Sequence, residues 1–441
     1  ELNFVGLPFP QGNIDAQSSA EIRQETKITG IEWDREKIVV GVINEVMPHP
    51  NADRLVLCRL NDGQSEHIAL TGAPNLFSYK DKGPLASPIK FDYAREGPKL
   101  FDGHKSGQEL MTLKRTKIRG VESYSMACSE KELGISDAHE GVIILDEDAP
   151  VGMPLADYMG DVVLDIAITP NVARDANILG IAREIAAITG KELRPPDLDV
   201  HMDSIPIESQ VSIEIREPEL NPRFVLGLIE DIQIQPSPYE IQRRLHLAGM
   251  RPINNIVDAT NYAMIEIGEP LHAFDFDILL DRAKGDTPKI ITRTAEKGER
   301  LTTLDDIERE LDDFTVLVCD TAGPLSIAGV MGGVESEVHS KTRRILLEGA
   351  AWNFTNIRRT ISSQRMSSEA AYRFSRGVHP AVAEYGVLRG LALMQRWAGG
   401  VVAKGLVDNY PLPPVDPLVS FTTDDVRRYL GIKLTSGEIQ Q

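Results

Sequence analysis

The sequence predicts a multidomain α+β chain in which a small β-barrel precedes a larger mixed α/β domain. Three observations lead there. The chain has 441 residues, 42% of them hydrophobic, which is more than one ordinary core organises, so about three domains of ~150 residues are expected. Short β-branched runs separated by Pro, Asn, Asp and Gly clusters dominate the stretch after Lys37. Helical spacings and alternating strand patterns then interleave beyond Pro154.

Taken in order, residues 1–37 show no clean periodicity and carry Gly6, Pro8, Pro10 and Gly12, so they read as an irregular lead-in or the remnant of an N-terminal domain. In residues 38–155, Ile38-Val39-Val40-Gly41-Val42-Ile43 and the alternating Leu55-Val56-Leu57-Cys58-Arg59-Leu60 predict strands of a small closed barrel, of which the OB-fold is one nucleic-acid-binding form. Residues 156–205 read as a helical segment and linker. Ile181, Ile185 and Ile188 recur at helical spacing, Gly190 stands where a C-terminal stop belongs, and Arg194-Pro195-Pro196-Asp197 breaks the pattern. Residues 206–408 form one mixed α/β domain. Within it, Ser237-Pro238-Tyr239-Glu240 predicts a serine-capped helix reaching Gly249. Strands are expected at 289–295, 315–320 and 343–348, and a long helix after Pro380 closes the domain. After Asn409-Tyr410-Pro411-Leu412-Pro413-Pro414, residues 409–441 are too few to bury a core, and read as the start of a further, truncated domain.

A net charge of -19 argues against nonspecific coating of nucleic acid, because phosphate contacts need Lys and Arg. Any RNA contact must then come from local patches. One stands out at residues 111–120, where Lys114, Arg115, Lys117 and Arg119 occur with no acid between them; a solvated strand face is the alternative reading. No apolar run of ~18 residues and no basic-then-apolar leader appears, so a soluble, cytoplasmic protein without membrane contact is expected. Cys58, Cys128 and Cys319 are far apart and form neither a CxxC pair nor an even set, which fits buried thiols in a reducing compartment. No HExxH, paired-carboxylate or Ser-His-Asp signature is visible, and no metal ligands are expected.

Three stretches carry a family resemblance. The first runs from His49-Pro50-Asn51-Ala52-Asp53-Arg54-Leu55 through Thr71-Gly72-Ala73-Pro74-Asn75 to Lys117-Ile118-Arg119-Gly120-Val121-Glu122-Ser123 and Cys128-Ser129-Glu130-Lys131-Glu132-Leu133-Gly134. It resembles the tRNA-binding OB domain of synthetase subunits. The second is Arg251-Pro252-Ile253-Asn254-Asn255-Ile256-Val257-Asp258-Ala259-Thr260-Asn261-Tyr262, continuing to Pro270-Leu271-His272-Ala273-Phe274-Asp275. The third joins Ala328-Gly329-Val330-Met331-Gly332-Gly333, Leu346-Leu347-Glu348-Gly349-Ala350 and Arg373-Phe374-Ser375-Arg376-Gly377-Val378. In that order these two are similar to the editing domain of bacterial phenylalanyl-tRNA synthetase β subunits. One departure is Val172 after Thr169-Pro170-Asn171, where family members carry Arg; here the arginine is Arg174.

The resemblance implies an OB-fold β-barrel followed by a mixed α/β editing domain. It implies a ligase that charges tRNA(Phe) with phenylalanine in an α2β2 complex with an α subunit, this chain binding tRNA and hydrolysing mischarged tyrosyl-tRNA. Mg²⁺ and ATP belong to that complex, and the chain itself offers no ligands for them. On the same ground Thr260, Asn261, His272 and Glu348 are the expected editing residues, with Ala328, Gly329, Gly332, Ser368 and Ala370 lining the pocket. Asn51, Asp53, Lys114, Arg115, Lys117 and Arg119 are the expected tRNA contacts. Glu348 is cast as a carboxylate that accepts a phenolic hydrogen bond, and His272 as a group for the ester or the water. A tRNA-binding scaffold without catalysis is the competing reading.

Overall fold

The computed structural model describes residues 1–9, 27–415 and 418–440. The first half is built on a four-stranded antiparallel sheet in the order Glu66–Thr71, Ala52–Asn61, Ile38–His49, Pro84–Ala94. Its central strand is apolar almost throughout because both faces are covered. Ile38 and Val40 pack with Trp33, Leu100 and Leu133, while Val39 and Ile43 pack with Leu76, Phe91 and Val142. The closed barrel expected for residues 38–155 is not what forms: among the described residues the sheet stays open. Later strands are too short to complete a circuit. Lys99–Phe101 pairs only with Leu110–Thr112 and Thr116–Ile118 only with Val121–Ser123, while single bridges join Phe91 to Ile144 and Ala94 to Met126. The three cysteines are buried and free.

The stretch read as an irregular lead-in contains two strands. Leu2–Gly6 pairs in parallel with Ile28–Glu32 and antiparallel with Asp161–Leu164. A five-residue strand whose partner lies far along the chain leaves no periodic signature. Beyond it the helix Ile178–Thr189 ends at Gly190, which takes φ +67° as a left-handed cap.

The larger domain packs two sheets. One has the order Met202–Pro206, Val401–Lys404, Arg223–Glu230, Ile345–Ala351, Leu271–Asp275, with Val407–Asn409 also bound to Arg223–Glu230. The other runs Ser212–Ile215, Lys289–Thr294, Val316–Cys319, Pro324–Ile327, Met331–Gly332. The strand Ile345–Ala351 is buried at every position, and its alternation decides what each residue meets. Ile345 and Leu347 join the cluster of Val387 and Leu391 on the helix Ala381–Ala398. Gly349 lets that helix close in, since a Cβ there would lie 2.7 Å from Val387 Cγ2. Leu346 and Ala350 face the opposite way, into the cluster of Leu226, Phe274, Leu317 and Ile327 between the sheets. Glu348 shares that second parity. A buried Leu in such a register contributes about 1.5–3 kcal/mol, so a carboxyl there gives up that term and adds a desolvation cost.

One local expectation fails. The helix at Tyr239–Leu247 starts from Pro238 without a side-chain cap, because the Ser237 hydroxyl donates to Asp258 Oδ2 at 2.6 Å instead. Residues beyond the domain form the helices Thr423–Leu430 and Ser436–Gln440, neither of which buries a residue.

Candidate active site

A cavity of about 280 Å³ opens where the end of the strand Leu271–Asp275, the strand Ile345–Ala351, the helix Asn255–Ile267 and the turn after Pro324–Ile327 converge. It gathers Thr260, Asn261, His272, Gly329, Gly332, Glu348, Ser368 and Ala370. Ala328 is the exception: it belongs to the inter-sheet core, and its N–H is bonded to Val316 O at 3.0 Å.

His272 and Glu348 are directly opposite in the antiparallel ladder, which places them on one face. Burial pushes the Glu348 carboxyl up from 4.5 to about 8 and the His272 imidazole down to about 4, because each charged form loses its water. Both side chains are therefore uncharged near neutral pH, so Glu348 faces the cavity as a carboxylic acid where the sequence reading cast a carboxylate. Glu348 Oε2 and His272 Nε2 are buried and have no hydrogen-bond partner among the described residues. Unpaired buried polar atoms each cost about 1–3 kcal/mol, and either water or a ligand entering the cavity would satisfy them. The His272 ring sits edge-on to Phe274, centroids 4.5 Å apart, and over Gly332, where a Cβ would lie 2.4 Å from Cε1.

The remaining groups shape the cavity. Thr260 Oγ1 donates to Val257 O at 2.7 Å within its own helix, so its methyl is the free surface, whereas the Asn261 amide has no partner among the described residues. Ser368 caps the helix Glu369–Phe374 by accepting from Ala371 N at 3.0 Å, and donates to Val330 O at 2.9 Å. That bond ties the helix to the glycine turn. The turn itself is a tight hairpin in which Gly329 takes φ +64°, and a Cβ there would lie 2.7 Å from Trp352 Cδ1 and 3.0 Å from Phe374 Cδ2.

Sequence reasoning missed Glu269. It is fully buried, its Oε1 accepts from Ala350 N at 3.0 Å, and its Oε2 has no partner among the described residues. Burial, opposed by that N–H and reinforced by Glu348, holds its carboxyl well above the ordinary range. It grips the strand two residues past Glu348. A lone Glu before a proline gives no sequence signal; only the tertiary fold does. Met250, Met264, Leu304 and Phe374 complete the apolar wall.

The expected RNA contacts gather elsewhere. Thr116–Ile118 and Val121–Ser123 form a hairpin whose turn, Arg119-Gly120, has φ +50° and +97°, the positive pair a two-residue hairpin loop requires. Asn51 Nδ2 donates to Arg119 O at 3.4 Å, bringing the Asn51–Asp53 turn to the hairpin tip. Arg115 is occupied: it lies 3.7 Å from Glu96 and from Glu122 and stacks over Tyr124. Lys114, Lys117 and Arg119 are exposed, with no ion-pair partner among the described residues. Those residues hold no group of three or more potential metal ligands and no helix long and apolar enough to cross a membrane.

Comparison with known proteins bears on all of this. Residues 220–399 match the B3/4 domain family. The chain is 41% identical over 411 residues to a phenylalanine–tRNA ligase β subunit of Dehalococcoides mccartyi (92% of this chain, 49% of the relative) and 43% identical over 374 residues to that of a second strain (85% and 44%). It is 36% identical over 438 residues to the β subunit of Salinibacter ruber (96% and 51%). The chain thus spans about half the length of the curated relatives it matches. By this similarity along almost its whole length, the chain belongs to the phenylalanine–tRNA ligase β-subunit family.

Proposed function

We propose that this chain supplies tRNA binding and hydrolytic editing to a phenylalanine–tRNA ligase that works in the cytoplasm with an α subunit, in an α2β2 complex. The observation that carries the reading is the pair of uncharged, unpartnered groups, Glu348 and His272, on one face of a single cavity. The need for such a site is physical. A pocket built for a phenyl ring rejects a ring with an added hydroxyl only ~100-fold, so tyrosine reaches the tRNA.

In the cavity, the Glu348 carboxyl meets the tyrosine hydroxyl, which satisfies Oε2; a phenylalanine ring leaves it orphaned. His272 Nε2 holds the ester or the attacking water, and it stays neutral until pH falls to about 4. The glycine turn at Gly329 brings backbone close to the carbonyl oxygen. Water is activated mainly by position, with a ribose hydroxyl of the substrate as its neighbour. On the family resemblance, Mg²⁺ and ATP belong to amino-acid activation on the α subunit. The exposed hairpin at Lys117 and Arg119 meets the tRNA backbone.

The scaffold reading predicts no hydrolysis. The test is to incubate the chain, in complex with its α subunit, with tyrosyl- and phenylalanyl-tRNA(Phe) and measure release of each amino acid. Faster release of tyrosine is expected. Neither ester decaying faster than in buffer would leave the scaffold.

A further inference from the structure

A second cavity of about 400 Å³ lies beside the first, and the two share a wall. Glu369, Ala370 and Phe374 of the helix Glu369–Phe374 line the first cavity, and Arg373 of the same helix lines the second. Pro270 and Leu271 line the first, Ile267 and Gly268 the second. A helix is about 10 Å across, so ligands in the two spaces lie within reach of one extended strand.

The lining of the second cavity is chemically specific. Leu179, Ile267, Val382 and Tyr385 give it apolar faces, and Arg174, Arg183 and Arg373 give it guanidinium groups. Two of the three are engaged. Arg373 donates to Ala176 O at 3.1 Å and pairs with Glu369 at 2.8 Å, and Arg174 pairs with Glu184 at 2.9 Å. Arg183 is exposed and has no hydrogen-bond or ion-pair partner among the described residues. A free guanidinium over an apolar floor is the combination that takes a phosphate with a stacked base. It stands out on a chain of net charge -19.

We propose that this cavity is a nucleotide subsite: it holds a nucleotide of the single-stranded RNA end next to the terminal one, whose ester enters the cavity of Glu348. The inference rests on the hydrolytic reading for the identity of the strand. Arg183 grips the phosphate, the apolar faces hold the base, and the shared wall sets the spacing between base and ester.

The test is an anisotropy titration of the chain with a hairpin RNA that mimics the tRNA acceptor stem and ends in single-stranded CCA. Arg183→Glu is expected to weaken binding about tenfold, R183K to stay near wild type, and Lys297→Glu, the same charge change outside both cavities, to have little effect. RNA trimmed of its single-stranded end should bind wild type and R183E alike. Equal effects of R183E and K297E, no effect of either, or an undiminished R183E effect on trimmed RNA would overturn the subsite. Competition by free CMP that R183E abolishes, without any dependence on the single-stranded end, would mark a mononucleotide site and overturn the strand assignment. Because binding is read without hydrolysis, a chain that shows the R183E effect but releases no amino acid would retain the subsite and lose the hydrolytic reading.

Discussion

The cavity at Glu348 and the hairpin at Lys117 use polar side chains in opposite ways. In the cavity, Glu348 and His272 are buried, uncharged near neutral pH and unpartnered among the described residues. In the hairpin, the side chains of Lys114, Lys117 and Arg119 are exposed and likewise have no partner among the described residues. Water satisfies the second set at no cost, so its lack of partners says little about a ligand. No described residue satisfies the first set, so the protein itself leaves that cost in the middle of an apolar stripe. The unpaired buried atom is therefore the sharper evidence for a binding site, and the exposed cation needs a salt-dependence measurement to mean anything.

That contrast breaks or sharpens at four places, in descending order of expected effect. His272→Ala should slow tyrosyl-tRNA hydrolysis by roughly 10²-fold or more while leaving the preference for tyrosine largely in place, because the proposal assigns the ring hydroxyl to Glu348. Single-turnover deacylation of both esters separates rate from preference. Gly332→Ala should act through the same histidine. Its new Cβ, 2.4 Å from His272 Cε1, forces the ring aside, and a displacement of that size costs on the order of 10²-fold; unchanged turnover would mean that the ring's place does not matter.

The third effect is on stability. Because the Glu348 carboxyl rises from 4.5 to about 8 on folding, the unfolded chain binds fewer protons than the native one between those values. Its contribution is fully present below pH 4.5 and is lost as pH rises toward 8. Glu348→Gln cannot ionise, so its melting temperature relative to the parent should climb from pH 4.5 to pH 8.5, with ~5 kcal/mol as an upper bound. Parallel melting curves would mean that Glu348 is not desolvated. His272 titrates in the opposite window, below pH 6.5, and affects both proteins alike. The smallest effect belongs to the hairpin: replacing Lys114, Lys117 and Arg119 with alanine should reduce the salt slope of tRNA binding by ~0.7–0.9 per lost phosphate contact. An unchanged slope would remove the hairpin from the interface.

How much of this was legible in the sequence follows from what each signal depends on. The helix after Pro380 and the strands near 289, 316 and 345 announce themselves by local period, and the structure has them at Ala381–Ala398, Lys289–Thr294, Val316–Cys319 and Ile345–Ala351. Glu348 does not announce itself. In a strand buried on both faces, no alternation tells which side it points to, so resemblance to a family was needed to single it out. The open sheet, the paired strands at Leu2–Gly6 and Ile28–Glu32, and the diversion of Ser237 to Asp258 all depend on partners distant in the chain. Ala328 failed as a lining residue because in a tight hairpin only part of the glycine turn reaches the cavity. Glu269 stayed hidden because its meaning lies in one bond to Ala350 N.

The central claim is that Glu348 reads the tyrosine hydroxyl. It is tested most directly by comparing deacylation of tyrosyl- and phenylalanyl-tRNA(Phe) by wild-type and Glu348→Ala protein in the αβ complex, with circular dichroism confirming that both are folded. Leaving the buried tyrosine hydroxyl without its partner costs about 1–3 kcal/mol, which predicts that the preference for the tyrosyl ester falls about 5- to 150-fold. A folded Glu348→Ala protein that retains wild-type rate and preference would make the glutamate structural and contradict the account.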